Sequence, residues 1–178
     1  MRKRALPLER VYQLLEPGPV VLLTTARKGR ANVMTLSWHA MLDFVPPLVC
    51  LVVSRQDYSR GLLNPTKQCV INIPDAPLAR AVVGVGNCSG RDADKFARFG
   101  LTKVPATVVR PPMIQECFAS LECRVVDSSM ADVYDLFVVE VIAAWADSRA
   151  ENPRTLHHRG LGNFMIAGRT LRLPSKMK

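Results

Sequence analysis

Side chains that could do chemistry gather where short apolar runs stop. Asn32, Thr35, Ser37 and Trp38 lie along or just after one run, Ser54, Arg55, Tyr58 and Ser59 follow a second, and Asn72 closes a third. A half-buried strand has no need of polar groups clustered near its ends, so these positions mark a ligand. What they offer is hydrogen bonding rather than nucleophilic attack. Ser54, Arg55, Tyr58 and Ser59 also fall at a strand-to-helix junction. The first N–H groups of a helix are unpaired and partly positive, and with an arginine alongside they form a seat for a phosphate. The same residues also read as an ordinary helix cap with a solvent-facing arginine. Lys95 adds a cation able to reach an anion.

A second cluster, Thr155-Leu156-His157-His158-Arg159-Gly160-Leu161-Gly162-Asn163-Phe164, holds two histidines that suit a proton site or a cap over a ligand. A solvated loop with incidental histidines fits it as well. No carboxylate stands at triad spacing and there is no serine elbow, so no hydrolase and no catalytic side chain is expected. Gly84-Val85-Gly86-Asn87-Cys88-Ser89-Gly90 lacks the G-x-G-x-x-G spacing and does not open a helix after a strand, so no dinucleotide site is expected there. Cys50, Cys69, Cys88, Cys117 and Cys123 include no Cys-x-x-Cys pair, and no histidine stands at zinc-ligand spacing. Neither a disulfide framework nor a metal site is supported.

Positioning these groups takes a set of strands. β-Branched apolar runs at 20–25, 31–38, 48–54 and 69–73 are separated by Lys28-Gly29, Pro46-Pro47 and Asn64-Pro65. The first two form a hairpin across Arg27-Lys28-Gly29-Arg30, where Gly29 can take positive φ. Residues 39–44 are ambiguous. Strict alternation from Cys117 to Val125 predicts a strand with one wet face, and 134–147 a long strand covered on both faces, for which a dimer partner is one cover. Short helices are predicted over 8–15, 60–63 (capped by Asp57-Tyr58-Ser59 and stopped before Asn64-Pro65), 77–85 and 92–99, the last capped by Asp92. Residues 101–112 read as an irregular loop with an extended piece at 107–110.

At 178 residues the chain suits a single domain with a real core. Its net charge of +9 is concentrated in basic tails, about 1–7 and 169–178, and aromatics do not interleave with the basic residues. No nucleic-acid partner is therefore expected, whereas an anionic small ligand suits the charge. The amino terminus lacks an unbroken apolar core, and the run 136–146 is too short to span a bilayer and contains Glu140. No membrane association is expected, and with its unpaired cysteines the chain is placed in the cytoplasm.

In order, Pro19-Val20-Val21-Leu22-Leu23-Thr24-Thr25, Asn32-Val33-Met34-Thr35-Leu36-Ser37-Trp38, a proline pair before a strand ending Ser54-Arg55, Asn64-Pro65, Val70-Ile71-Asn72-Ile73-Pro74, Asp94-Lys95-Phe96 and Leu121-Glu122-Cys123 follow one another along the chain. This series, spanning 17–141, resembles the flavin reductase-like, FMN-binding split-barrel family, which includes flavoredoxin and archaeal ferric reductase. The resemblance implies a mainly β fold with peripheral helices (α+β), a six-stranded antiparallel split β-barrel, and a homodimer holding FMN near the subunit boundary. It implies that 32–38 line the isoalloxazine, with Thr35 and Ser37 hydrogen-bonding to it and Trp38 beside it, and that Ser54, Arg55, Tyr58 and Ser59 hold phosphate and ribityl. Asn72 and Lys95 match as further cofactor contacts. The family's usual His is replaced by Tyr134 and its usual Gly by Val139, so Tyr134 and His158 are the substrate-side candidates. The implied activity is hydride transfer from NAD(P)H to FMN and on to a flavin, a ferric complex or a redox partner protein. The alternative is an FMN-binding electron carrier or flavin store without nicotinamide turnover.

Overall fold

The computed structural model of the chain describes residues 3–15 and 18–175. In chain order the strands are β1 (Lys3–Ala5), β2 (Val21–Arg27), β3 (Arg30–Leu36), β4 (His39–Phe44), β5 (Pro47–Val52), β6 (Gln68–Ile73), β7 (Lys103–Val104), β8 (Met113–Ile114), β9 (Ala119–Asp127), β10 (Leu136–Asp147), β11 (Leu156–His158) and β12 (Phe164–Ile166). The helices are α1 (Tyr12–Leu15), α2 (Tyr58–Thr66), α3 (Ala79–Gly86), α4 (Lys95–Arg98) and α5 (Ala131–Tyr134).

One antiparallel sheet runs β3-β2-β6-β9-β10-β5-β4. β2 and β3 close across Lys28 (φ 50°) and Gly29 (φ 77°), as the hairpin reading requires. Left-handed residues at both turn positions match the twist of the flanking strands. The sheet has eight strands rather than the six expected. Residues 39–44, ambiguous in sequence, pair with β5 as β4, and Lys3–Ala5, expected in a basic tail, pairs with the end of β10 as β1.

The sheet curls around a core built from alternate residues: Val21 and Leu23 on β2, Val49 and Leu51 on β5, Ile71 on β6, Leu121 on β9, Phe137 and Val139 on β10. Burying each such side chain contributes about 1.5–3 kcal/mol. Val11 and Leu15, on the 3-10 turn and α1 that replace the single predicted helix over 8–15, join this core. The opposite face of β2 and β3 is covered too, with Val20, Leu22 and Val33 packing on Val82 and Val85 of α3 and Phe96 of α4.

Three local expectations change. α2 runs through Pro65 to Thr66 instead of stopping before Asn64. Leu62 and Leu63 are buried, and their packing holds the last turn helical against the extended preference of a residue before proline. α4 begins at Lys95, because Asp94 rather than Asp92 caps it, accepting from the N–H groups of Phe96 and Ala97. The predicted wet face of β9 is dry over its first half: Ser120 and Glu122 have no exposure. Glu122 lies beneath residues 107–109, accepting from the N–H groups of Thr107 (2.9 Å), Val108 (2.7 Å) and Val109 (3.1 Å), the Thr107 hydroxyl (2.8 Å) and the Trp145 indole (2.8 Å). Those bonds replace the water that the carboxylate gives up. Among the described residues no helix is long and apolar enough to cross a membrane.

Candidate functional site

β3 is an end strand of the sheet, and a groove runs beside it. Its first part is a cleft of about 290 Å³ between β3 (Asn32, Met34, Thr35), the start of α2 (Asp57, Tyr58, Ser59) and the loop from Gly86 to Arg91, with Lys95 of α4. Its second part, about 270 Å³, lies between Ser37, Val20, α3 (Val82, Val83) and the β11–β12 hairpin (His158, Gly162, Phe164). Thr35, Gly86 and Asn87 line both, so the two parts are continuous.

The first part is polar and cationic. Asn32 Nδ2 donates to Ser59 Oγ at 2.9 Å, joining β3 to α2. Arg30 donates to the Gly90 carbonyl at 2.7 Å, and the guanidiniums of Arg30 and Arg91 stand 5.3 and 5.6 Å from the Tyr58 ring centroid. Asp57 occupies the cap position of α2 but does not cap it. Its carboxylate accepts from the Ser54 N–H at 3.1 Å, so the helix's first turn receives no side-chain acceptor from its cap residue, only the Asp57 carbonyl, which accepts from the Arg60 N–H at 3.1 Å.

Lys95 is 6% exposed and donates to the Val85 carbonyl at 2.8 Å. Burial pushes its pKa down, against the opposing pull of Cys88 and Asp57. Burial likewise holds the Asp57 carboxyl above its ordinary range, offset in part by the Ser54 N–H, Lys95 and Arg91. A cation short of water at a helix N-terminus favours an incoming anion.

The second part is mostly apolar. Thr35 Oγ1 donates to the Val82 carbonyl at 2.6 Å, tying β3 to α3, and the His158 and Phe164 rings stand 5.2 Å apart across the hairpin. A polar cationic end joined to an apolar end suits a flat ligand that carries an anionic tail.

The structure thus brings Asn32, Thr35, Ser37, Tyr58, Ser59, Lys95 and His158 to one groove, and leaves five of the sequence candidates outside its lining. Ser54 is absorbed in the turn before α2, its Oγ accepting from Gln56 N. Arg55 turns to the α5–β10 corner, donating to the Asp132 carbonyl at 2.7 Å and standing 3.6 Å from Asp135. Asn72 is fully buried between strands, donating to the Leu22 carbonyl at 3.1 Å and accepting from Ile114 N at 2.9 Å and Ser120 Oγ at 2.7 Å. Trp38 is 71% exposed, and Tyr134 stands exposed at the end of α5.

The sequence reading missed Arg91 and the rest of the loop from Gly86 to Arg91. Its glycines do not form a dinucleotide fingerprint, but they let the backbone approach the neighbouring side chains. A Cβ on Gly90 would fall 1.9 Å from Asn32 Oδ1 and 3.0 Å from Tyr58 Cδ1. An Arg following a Gly-Asn-Cys-Ser-Gly turn, four residues before the buried Lys95, was the available signal.

A curled antiparallel sheet with this flanking groove defines a flavin reductase-like split barrel. Residues 14–164 match the family described as Flavin reductase like domain, and the chain belongs to that family. It is 34% identical to the uncharacterized protein YddH of Escherichia coli over 93% of this chain and 96% of that one. A crystal structure of an FMN-binding domain of a flavin reductases-like enzyme from Shewanella baltica superposes with a TM-score of 0.92 at 29% identity, covering 97% of this chain and 98% of the other. The reductase component of a 4-nitrophenol 4-monooxygenase/4-nitrocatechol 2-monooxygenase from Rhodococcus opacus is 28% identical over 82% of this chain and 74% of its own length.

Proposed function

We propose that the chain binds FMN in the groove beside β3 and acts as an NAD(P)H-dependent oxidoreductase of the flavin reductase type, passing electrons to a flavin, a ferric complex or a partner protein. The observation that carries this reading is the groove's gradient, from Arg91, Lys95 and Ser59 at one end to Val20, Val82 and Phe164 at the other. The donor set fits the cofactor: cations and a helix N-terminus for a phosphate, hydroxyls at Thr35 and Ser37 and the open edge of β3 for a ring with polar margins. The close approach of Gly90 to Asn32, which a larger residue would block, holds the loop from Gly86 to Arg91 against β3 at the polar end. The family, the FMN-binding relative from Shewanella baltica and the reductase component from Rhodococcus opacus support the same reading.

Bound FMN would supply the hydride- and electron-accepting chemistry. The chain's own residues have other tasks. Arg91 and Lys95 neutralise the anionic tail, and the Lys95 ammonium recovers the stabilisation that burial removed. Asn32 and Ser59, bonded to each other, hold β3 and α2 at a fixed separation. His158 and Phe164 wall the apolar end and restrict water. No side chain is required as nucleophile or general base.

The purified protein should be yellow and should bleach anaerobically when NADH or NADPH is added. A preparation that stays colourless after incubation with FMN sinks the proposal. Bleaching by dithionite but by neither nicotinamide would assign the electron-carrier role instead. That second reading is favoured by Tyr134, which stands outside the groove at the position of the family's usual His.

We also propose a homodimer. Trp38, Leu42, Phe44 and Val45, on and beside the edge strand β4, are all at least half exposed, and an apolar edge of this kind calls for a cover.

A further inference from the structure

Tyr58 opens α2 half-buried, and two guanidiniums share its ring. Cζ of Arg30 and of Arg91 stand 5.3 and 5.6 Å from the ring centroid. Both arginines are exposed, and among the described residues no carboxylate stands within ion-pair distance of either, Asp57 acting on Arg91 only from further away. Backbone carbonyls complete their hold. Arg30 donates at 2.7 Å to Gly90, the residue before Arg91, and Arg91 Nη1 reaches the carbonyl of Gln56, two residues before Tyr58, at 3.5 Å. The missing side chain of Gly90 lets the loop settle on the ring, since a Cβ there would stand 3.0 Å from Tyr58 Cδ1.

We infer that Tyr58 is a positioning residue that acts through its ring, holding the Arg91 guanidinium at the polar end of the groove ready for the phosphate. The inference rests on the proposed FMN site and assigns one side chain its task there. The face of an aromatic ring carries negative charge density and attracts a guanidinium laid near it. An exposed arginine gives up rotamer freedom when it fixes on an anion, and one already held on a ring gives up less. Of the two arginines only Arg91 lines the groove, so Arg91 is the one through which the ring acts. Arg30, bonded to Gly90, steadies the loop that carries it.

The test is a fluorescence titration of the flavin-free full chain with FMN and, separately, with riboflavin, which lacks the phosphate. Tyr58→Leu should weaken FMN about fivefold and riboflavin less than about twofold, while Tyr58→Phe, which keeps the ring face, should bind FMN within about twofold of the parent. In an Arg91→Ala background Tyr58→Leu should change FMN affinity by less than about twofold, because the side chain it positions is gone. Thermal melts identify the folded variants, and Tyr58→Met takes the place of Tyr58→Leu if the latter does not fold. Equal losses of FMN and riboflavin overturn the inference. So does a Phe variant as weak as the Leu variant, which would assign the contact to the hydroxyl, and so does a full loss that persists without Arg91. Unchanged FMN affinity in Tyr58→Leu overturns this inference alone, whereas a parent that takes up no FMN sinks the cofactor reading and this inference together.

Discussion

A Cβ on Gly90 would lie 1.9 Å from Oδ1 of Asn32, closer than any two such atoms can stand. Asn32 in turn donates to Ser59, so one glycine fixes how β3 and α2 frame the polar end of the groove. Gly90→Ala is expected to push Asn32 aside, break that bond and lower FMN affinity by about 1–2 kcal/mol. Flavin fluorescence quenching measures it. An affinity equal to that of the parent would mean the Asn32–Ser59 pair does not shape the site.

Arg91 lines the groove and Arg55 does not. Arg91→Ala should weaken FMN by about 1.5–3 kcal/mol while leaving riboflavin binding nearly unchanged, because the lost interaction is with the phosphate. Arg55→Ala should change FMN affinity by less than about 0.5 kcal/mol. The reverse ranking in parallel titrations would return the phosphate seat to the turn before α2.

The lowered pKa of Lys95 gives binding an alkaline limit. The ammonium is charged below that pKa and lost above it, at a lower pH than for a lysine in water. FMN affinity should fall on titration from about pH 7 towards pH 10, and Lys95→Met should bind weakly throughout and show little of that fall. The same alkaline loss in both proteins would assign it to another group.

Glu122 sets an acid limit on stability. Burial alone would raise its pKa, but the N–H groups of Thr107 and Val108, the Thr107 hydroxyl and the Trp145 indole outweigh that and hold it below its ordinary value of 4.5. A carboxyl depressed in the fold contributes in full above its unfolded pKa, and the contribution is lost as pH falls through the folded one. Melting temperature should therefore drop below about pH 4.5, and Glu122→Gln should cost about 2–4 kcal/mol at neutral pH while flattening the acid slope. An unchanged melt at neutral pH would refute the role given to these bonds.

Phe44→Asp should convert the proposed dimer to monomers, read as a halved mass by light scattering. A mass that does not change would move the interface off β4.

Much of the fold was legible locally. β-Branched apolar runs marked β2, β3, β5 and β6, strict alternation marked β9, a long apolar run marked β10, and Lys28-Gly29 marked the first hairpin, because all of these signals depend on residues within a few positions of one another. The polar residues at the ends of β3 and the start of α2 were legible as candidates for the same reason, and several of them line one groove.

What folding decided were the partners of residues far apart in the chain. Arg55 faces away from the groove because Asp132 and Asp135 offer it an acceptor and a charge, and nothing near residue 55 announces them. Asn72 looks like a ligand contact in sequence, yet its amide is consumed by Leu22, Ile114 and Ser120 inside the sheet. Glu122 reads as the wet face of a strand until residues 107–109 close over it. A side chain's type and local period fix which strand or helix it belongs to. Whether it meets a ligand, a neighbour or water depends on which distant backbone reaches it first, and only the packed chain determines that.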